Sequence, residues 1–461
     1  MLKRRIFGGL LSAIILISLF CVGAPRVSAA EGDVVGYTLP EGMAIHAESA
    51  LLVNLGSDVD RDVVLYAKAA DEVRAPGAMM RFMVAAYTLH RVQESGMDLD
   101  AVTGAYTVEM FNNYVAGTGV PTANMKYGET WTLRDLLTVS FMQNASDAVT
   151  TLACTLDGSV PAFVDGMNAL AEEIGCDYTH FANVTGLDSL SQYTTPRDMY
   201  RIIRYAQKFS MFEEIVGTRQ YTIKPIAGGT QRTLWSVNYM QQSSSTFYYK
   251  PLVFGRTGLS EHEGRTCASV ARDSGYEYLV VVMGCPETNE AGESGLHYRD
   301  TRTLFRWAFN HFEHATVLAK SEILASVKVR LSWNTDRVNL VPVREFSTVV
   351  ESQLDPDQVI KKVTVYENEI DAPVTKGTVL GKVELIVNVD QKIGEVDLVA
   401  AEDLNRSWLL FAFDGLGGFF TSPWFWLGLG LLILIIVGYI ILNIAYNRRR
   451  RRERLQRVKR Y

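Results

Sequence analysis

An apolar segment near the C-terminus, Trp424–Tyr446, constrains the fold more than any other part of the chain. It contains no charged residue, and as a helix it is long enough to cross a hydrocarbon core of about 30 Å. Tryptophans stand at its first and third positions and a tyrosine at its last, as is typical of residues at membrane interfaces. Five arginines, Arg448–Arg452, follow directly. The sequence therefore predicts one transmembrane helix over 424–446, with a basic tail, 447–461, in the cytoplasm and the preceding chain outside.

The N-terminus has the pattern of a signal peptide. Basic residues Lys3-Arg4-Arg5 precede the apolar run Ile6–Cys21, and Val27-Ser28-Ala29 offers a small-residue cleavage site. Phe20 before Cys21 is a poor match to lipoprotein processing, where a small residue is expected. We predict a signal peptide over 1–29, with an uncleaved anchor helix as the alternative.

The formal net charge of -6 hides an asymmetry between the ends and the middle of the chain. Residues 1–29 carry four basic and no acidic side chains, and the tail carries nine basic ones against Glu453 alone. The remaining chain therefore keeps 32 basic against 50 acidic residues, a formal charge of -18. An acidic body repels nucleic acid, which excludes a nucleic-acid partner.

Cysteine and histidine usage bears on disulfides and metals. After Cys21 in the leader, the exported part contains four cysteines, and histidines number seven in the whole chain. Two disulfides with three possible connectivities and four separate buried thiols both remain open. No CxxC or similar spacing occurs, so we expect neither a metal site nor a cofactor. The four exported cysteines are Cys154, Cys176, Cys267 and Cys285.

Hydrophobic periodicity predicts helices in the middle of the chain and strands on either side. Strands Ala50–Asn54 and Val63–Tyr66 form a predicted hairpin, and one helix is predicted over Thr132–Thr151, with Thr132 as its N-cap. Further helices are predicted over Pro76–Val92, Ser159–Ile174, Thr195–Gln207 and Thr301–Phe312, and strands over Leu252–Gly255, Cys267–Ala271 and Tyr278–Met283. This arrangement predicts an α+β domain over 34–312 with a mostly antiparallel sheet.

After about His314 the sequence becomes β-branched and alternates with polar residues. The segments Leu318–Val343, Ser347–Ser352, Ile360–Tyr366 and Lys382–Val389 show this pattern. We predict a second, all-β domain over 314–404. The aromatic stretch that follows, Ser407–Phe420, is typical of an interfacial collar.

Several segments of the first domain, taken in order, resemble motifs of the serine-type D-alanyl-D-alanine carboxypeptidases, the low-molecular-mass penicillin-binding proteins. The similarity is collinear from about Gly36 to Phe312, and the β-domain and C-terminal anchor fit the layout of the same family. The segments are VLYAKAADEVRAPGAMMRFMVA (64–85, SxxK region), FMQNASDAVTT (141–151, SxN region), FANVTGLD (181–188), YTTPRD (193–198) and GRTGLSEHEG (255–264, KTG strand).

The resemblance implies the penicillin-recognising serine hydrolase fold, similar to β-lactamases and transpeptidases, in which helices cover both sides of an antiparallel sheet. In that family a serine attacks the peptide carbonyl and a lysine one turn later accepts its proton. Ala78 and Arg81 occupy those positions here. Alanine offers no nucleophile, and an arginine with a pKa above about 12 stays protonated and is no base. The alternative is an ordinary helix start, in which both residues merely pack or face water.

The second and third motifs differ from the family pattern to different extents. Asn144 stands where the proton-shuttling serine belongs, and Ser146 where the asparagine belongs. Arg256-Thr257-Gly258 stands for Lys-Thr-Gly and keeps the charge, the threonine and the glycine that, by resemblance, meet the carboxylate of the substrate. Arg256, Thr257 and Gly258 are thus predicted to bind an anion such as a carboxylate, with a solvated strand end as the alternative.

Two functions follow from these motifs. The first is a catalytically inactive homologue that binds a peptidoglycan stem peptide or a cell-wall protein. The second is an active D-alanyl-D-alanine carboxypeptidase with a non-standard nucleophile, for which Ser146 is the candidate. No lysine or histidine stands near Ser146 in its motif, which disfavours the second function.

Overall fold

The chain divides into two units. The computed structural model describes residues 36–57, 59–332, 335–352, 354, 358–387, 391–411 and 422–458, so the predicted signal peptide and part of the aromatic collar lie outside it. The first unit comprises Met1–Ala315, Ser347–Val359 and Ile386–Ile393, and the second comprises the remaining segments.

The helices and strands of the described residues are numbered in chain order. The helices are α1 (Arg81–Ser95), α2 (Val108–Tyr114), α3 (Leu133–Met142), α4 (Ser146–Asp157), α5 (Val160–Glu173), α6 (Pro196–Ala206), α7 (Phe212–Val216), α8 (Leu296–His311) and α9 (Pro423–Val458). The strands are β1 (Ser49–Asn54), β2 (Val63–Lys68), β3 (Thr103–Ala105), β4 (Thr130–Thr132), β5 (Gln220–Ile223), β6 (Arg232–Trp235), β7 (Leu252–Ser260), β8 (Gly264–Asp273), β9 (Tyr276–Cys285), β10 (Phe312–Leu318), β11 (Ala325–Arg330), β12 (Arg337–Pro342), β13 (Phe346–Glu351), β14 (Ile360–Val365), β15 (Glu369–Asp371), β16 (Val379–Val387) and β17 (Gln391–Ala400).

A five-stranded antiparallel sheet organises the first unit. Its order is β2-β1-β9-β8-β7, so strands from the two ends of the unit meet at the β1–β9 pair. The predicted hairpin is confirmed as β1–β2, and the turn between β8 and β9 places Ser274 and Gly275 at positive φ. Strand β7 lies at the edge of the sheet, and it extends five residues beyond the predicted Leu252–Gly255. Those extra residues include the third predicted motif.

Three helices of the first unit begin where the sequence predicts, whereas those predicted from Pro76 and Thr301 begin at Arg81 and Leu296. The side chains of Thr132, Ser159 and Thr195 each accept a hydrogen bond from the backbone N–H three residues on, at 3.0 to 3.3 Å. These bonds satisfy donors at the helix start that have no partner within the helix. Helix α1 contributes Phe82 and its neighbours to one apolar core shared with the sheet, α3, α5 and α6. The α+β prediction is confirmed.

The second unit is β-rich, as predicted. Its main sheet has the order β14-β16-β17-β12-β11-β15, in which β11 and β15 run parallel while β12 runs antiparallel to both β11 and β17. Buried apolar residues alternate with more exposed ones along β11 and β12, which is typical of a sheet with one face in a core.

One helix among the described residues is long and apolar enough to cross a membrane. It covers Pro423–Arg451, within α9, and none of its apolar window is buried inside the protein. This matches the position of the predicted transmembrane helix.

Candidate functional site

The start of α1 places the first predicted motif in the interior of the first unit. A single 3₁₀ turn, Gly77–Met80, precedes α1, and Ala78 lies in this turn with 6% of its surface exposed. Arg81 is the first residue of α1 and is 1% exposed. Both residues therefore pack inside the protein, and neither faces water.

Two glycines press against the backbone of Ala78. A Cβ atom at Gly258 of β7 would lie 2.8 Å from the Ala78 nitrogen, and one at Gly186 would lie 2.9 Å from the same atom. No real Cβ atom is accommodated at such distances without a shift of the backbone. The first motif, the third motif and the 181–188 segment are therefore brought together at Ala78, as the resemblance implies.

The guanidinium of Arg81 is surrounded by oxygen atoms that carry no formal charge. Its Nη1 donates to the Ala145 carbonyl at 3.3 Å, and its Nη2 lies 3.4 Å from the Asn144 carbonyl, 3.4 Å from the Thr185 carbonyl and 3.5 Å from Ser146 Oγ. All four bonds are longer than the usual 2.9 Å or so. Arg81 thus connects α1 to the second motif and to the 181–188 segment.

Burial, followed by the nearby Arg256 charge, lowers the pKa of Arg81 to about 9, although the Asp147 carboxylate opposes the change. The loss of hydration in the interior thus brings this pKa below the value of above about 12 that the sequence predicts. The side chain nevertheless remains mainly protonated at neutral pH and is unavailable as a base.

The second motif lies at a break between two helices. The single helix predicted over Thr132–Thr151 is wrong: α3 ends at Met142 and α4 begins at Ser146. Asn144 has a φ of 59°, in the left-handed region that asparagine tolerates better than most residues, and this conformation interrupts the helix. Ser146 is fully buried, and its backbone N–H donates to the Pro121 carbonyl.

The third motif lies on the edge strand β7. Arg256 is 3% exposed, and its Nη1 donates to the Phe141 carbonyl at 2.6 Å, while its guanidinium lies 5.9 Å from the Phe141 ring centre. Burial lowers its pKa to about 10. The alternative of a solvated strand end is therefore wrong. Thr257 is half-buried, and the side chain of Tyr298 on α8 lies near it.

Several residues near the site carried no signal that sequence reasoning could use. Tyr298 comes from α8, far along the chain, and Asn238 donates from Nδ2 to the Gly255 carbonyl beside the third motif. The Asp188 carboxylate accepts bonds from Ser260 Oγ at 2.9 Å and from the Glu261 N–H at 2.7 Å. The family-like segment 181–188 was recognised from its sequence, but its bonds to the end of β7 were not.

The four cysteines among the described residues are free thiols in this structure. Cys267 and Cys285 lie on neighbouring strands, but Cys267 is opposite Val282 and Cys285 is opposite Arg265. Diagonal neighbours of this kind have Cα atoms about 7 to 8 Å apart, beyond the usual reach of a disulfide. Among the residues described, no group of three or more His, Cys, Asp or Glu side chains is arranged to hold a metal ion.

Comparison with known proteins agrees with this arrangement. A family model described as D-alanyl-D-alanine carboxypeptidase (Peptidase_S11) matches residues 37–287, more than half of the chain. A second model, described as penicillin-binding protein 5, C-terminal domain (PBP5_C), matches residues 312–406.

Relatives and solved structures cover most of the chain. D-alanyl-D-alanine carboxypeptidase DacF of Bacillus subtilis is 24% identical over 367 residues, which is 79% of this chain and 87% of DacF. DacC of Escherichia coli is 26% identical over 409 residues, which is 87% of this chain and 91% of DacC.

Two crystal structures show the same fold. Penicillin binding protein 5 of Haemophilus influenzae superposes with a TM-score of 0.60 and 19% identity over 80% of this chain and all of that one. DacD of Francisella tularensis superposes with a TM-score of 0.62 and 18% identity over 82% of this chain and 97% of that one. The predicted penicillin-recognising fold with a C-terminal β-domain is confirmed.

Proposed function

Because the chain belongs to the D-alanyl-D-alanine carboxypeptidase family of peptidoglycan metabolism, we propose that it is a catalytically inactive member that binds cell-wall components or regulates their processing. The observation that carries the proposal is the side chain at position 78. Ala78 occupies the nucleophile position of the family motif and presents a methyl group there. No acyl-enzyme forms on a methyl group.

The residue at the base position supports the same conclusion. Arg81 is buried, protonated at neutral pH and engaged with the Asn144, Ala145 and Thr185 carbonyls. Loss of the nucleophile alone lowers turnover in serine hydrolases on the order of 10⁶-fold. With the base also missing, we expect turnover to equal the uncatalysed background.

The third motif supports retained binding. Arg256, Thr257 and Gly258 keep a positive charge, a hydroxyl and a close backbone approach to Ala78. In the proposed function these residues bind the terminal carboxylate of a peptidoglycan stem peptide, or an equivalent carboxylate of a cell-wall protein. Arginine suits this role because its planar guanidinium contacts both carboxylate oxygens.

We further propose that α9 anchors the chain in the cell membrane. Its apolar part is long enough to span the bilayer, and Arg448–Arg452 follow it directly. In this arrangement both folded units lie outside the cytoplasm, next to the wall, and the basic tail lies inside.

The alternative is an active hydrolase that uses a non-standard nucleophile. Ser146 is the candidate, but it is fully buried and its hydroxyl accepts a bond from protonated Arg81. A protonated guanidinium cannot accept the proton of the hydroxyl, so Arg81 cannot activate Ser146.

Covalent labelling with a fluorescent penicillin distinguishes the two functions. We expect no labelled band for the wild-type chain, with an active D-alanyl-D-alanine carboxypeptidase as the positive control. A band that disappears when the protein is denatured before labelling, and that is lost in Ser146→Ala, would identify Ser146 as a nucleophile and overturn the proposal.

A further inference from the structure

Two buried guanidiniums converge on one short segment of the site. Arg81, from α1, donates to the carbonyls of Asn144 and Ala145, and Arg256, from β7, donates to the carbonyl of Phe141. Arg81 precedes and Arg256 follows this segment in the chain, and they bond to the end of α3 and to the turn after it. They are close enough for the charge of Arg256 to act on Arg81.

Neither guanidinium is neutralised by a carboxylate. Within the described part of the chain, no Asp or Glu forms an ion pair with Arg81 or Arg256, and the Nε atom of each is buried without a hydrogen-bond partner. Asp147 acts on Arg81 from a distance, but its own oxygens accept backbone N–H bonds from Ala123, Met125 and Ala148. The turn therefore holds two positive charges that the fold itself leaves unpaired.

Two unpaired buried charges destabilise the folded protein unless a ligand neutralises them. Burying an unpaired ion lowers the stability of the folded chain, and two like charges close together lower it further. The bonds that Arg81 makes, at 3.3 to 3.5 Å, recover little of that stability. An oxyanion between the guanidiniums would replace these long bonds with charge-assisted bonds of about 2.7 to 2.9 Å.

We propose that Arg81 and Arg256 together form a binding site for an oxyanion, so that the residue at the position of the family's base has become a ligand-binding residue. The inference rests on the proposed function, because it requires that Arg81 no longer serves catalysis. Asn144, whose carbonyl is bonded by Arg81, and Thr257, which follows Arg256 in the chain, are both half-buried. Asn144 Oδ1 is buried without a hydrogen-bond partner, and the amide of Asn144 carries N–H groups that suit an anion.

A carboxylate and a phosphate are both oxyanions that the proposed site would bind. They would come from different ligands. A carboxylate would come from the C-terminus of a peptide, and a phosphate from solution or from a phosphorylated wall polymer. Both present oxygens that two guanidiniums contact at once.

The test is calorimetric titration of the full-length chain in detergent micelles. One arm adds inorganic phosphate, and the other adds an acetylated peptide that ends in D-Ala-D-Ala. The variants are Arg81→Met and Arg256→Met, and the matched control is Arg91→Met. Arg91 lies on the same helix as Arg81, but its guanidinium is paired with Asp157.

We expect saturable binding in at least one arm, weakened about 10- to 100-fold in Arg81→Met and in Arg256→Met and unchanged in Arg91→Met. Binding in the peptide arm alone identifies a terminal carboxylate, and binding in the phosphate arm alone identifies a free oxyanion. Absence of binding in both arms, or wild-type affinity in Arg81→Met, would overturn the proposal.

Arg81→Lys keeps the test decisive if Arg81→Met does not fold. A lysine keeps the charge but loses the planar pair of N–H donors, so we expect about 10-fold weaker binding. Wild-type affinity in Arg81→Lys would also refute the paired-guanidinium site. Penicillin labelling reports separately on the proposed function, since a labelled wild-type chain refutes inactivity whatever the titration shows.

Discussion

Two arginines of the first unit differ in whether a carboxylate neutralises their charge. Arg204, on α6, donates from Nε and Nη2 to the two oxygens of buried Asp62, at 2.9 and 3.1 Å, and from Nη2 to the Gly56 carbonyl. Arg81, on α1, has no such carboxylate and makes four long bonds to uncharged oxygens. Arg204 is half-buried, and it stabilises the fold because its charge is paired with a carboxylate that is buried.

The contrast distinguishes arginines whose charge is paired within the fold from arginines whose charge is available to a ligand. Arg232 repeats the first pattern: it donates to the buried carboxylate of Glu129 and lies over the Trp131 ring. Arg256 repeats the second, with one carbonyl partner and an unpaired Nε. Unpaired buried charge is concentrated where the family motifs meet, and perturbed charges of this kind are typical of binding sites.

The largest expected effect comes from restoring the catalytic groups. If Arg81 is a ligand-binding residue rather than a part of the fold, it tolerates replacement by lysine. We therefore expect the quadruple variant Ala78→Ser, Arg81→Lys, Asn144→Ser, Ser146→Asn to react covalently with a fluorescent penicillin. Ala78→Ser alone should remain unlabelled, because Arg81 accepts no proton. A folded quadruple variant that stays unlabelled would mean that the geometry of the cleft, as well as its chemical groups, has been lost.

Among the stability changes, the largest is expected when Arg204, which is paired with Asp62, is replaced. Arg204→Met leaves Asp62 buried at 2% exposure with no cation beside it. We expect the free energy of unfolding, measured with urea, to fall by about 3 kcal/mol. The control Arg299→Met breaks an exposed pair with Glu293 and should cost less than about 1 kcal/mol. Equal losses in the two variants would contradict the distinction between buried and exposed pairs.

His297 is a neutral group that is buried without a hydrogen-bond partner, and it can be compared with the two buried arginines. Neither ring nitrogen has a hydrogen-bond partner among the described residues, and burial, followed by the Arg265 charge, lowers its pKa to about 3 from 6.5. Between these values the unfolded chain binds more protons than the folded one. Stability from this group is therefore complete above pH 6.5 and falls by up to about 1.4 kcal/mol per pH unit below it.

The measurement is the free energy of unfolding of wild type and His297→Gln between pH 6.5 and pH 5. We expect the wild-type value to fall more steeply than that of the variant. Parallel profiles would show that His297 takes up a proton in the folded chain as easily as in the unfolded one.

The smallest effect is expected at Arg81 itself. Arg81→Met removes an unpaired charge together with four long hydrogen bonds, and these contributions oppose each other. We expect the free energy of unfolding in the absence of added anions to change by about 1 kcal/mol or less. A loss as large as that in Arg204→Met would assign Arg81 to the fold and would argue against the oxyanion site.

The sequence predicts the architecture well because the signals for it are local. Two short apolar runs mark the β1–β2 hairpin, and Thr132, Ser159 and Thr195 mark helix starts through bonds to residues three positions on. The collinear motifs also place Ala78, Arg81 and Gly258 in one site, and the structure brings them together. The sequence predicts a contact wherever the two residues are a few positions apart or belong to recognisable motifs.

The remaining features depend on contacts that no local pattern encodes. The helix predicted over Thr132–Thr151 breaks at Asn144, whose left-handed backbone interrupts it although apolar periodicity continues across the break. The burial of Arg256 depends on the Phe141 carbonyl, more than one hundred residues earlier in the chain. Tyr298 reaches Thr257 only because α8 packs against the sheet.

The central claim is that this family member binds without catalysing, and release of D-alanine tests it most directly. The full-length chain in micelles is incubated with a peptide ending in D-Ala-D-Ala, and free D-alanine is measured over hours beside an active carboxypeptidase and a protein-free blank. The account predicts release equal to the blank, because Ala78 supplies no nucleophile and Arg81 no base. Release above the blank that penicillin abolishes would contradict it.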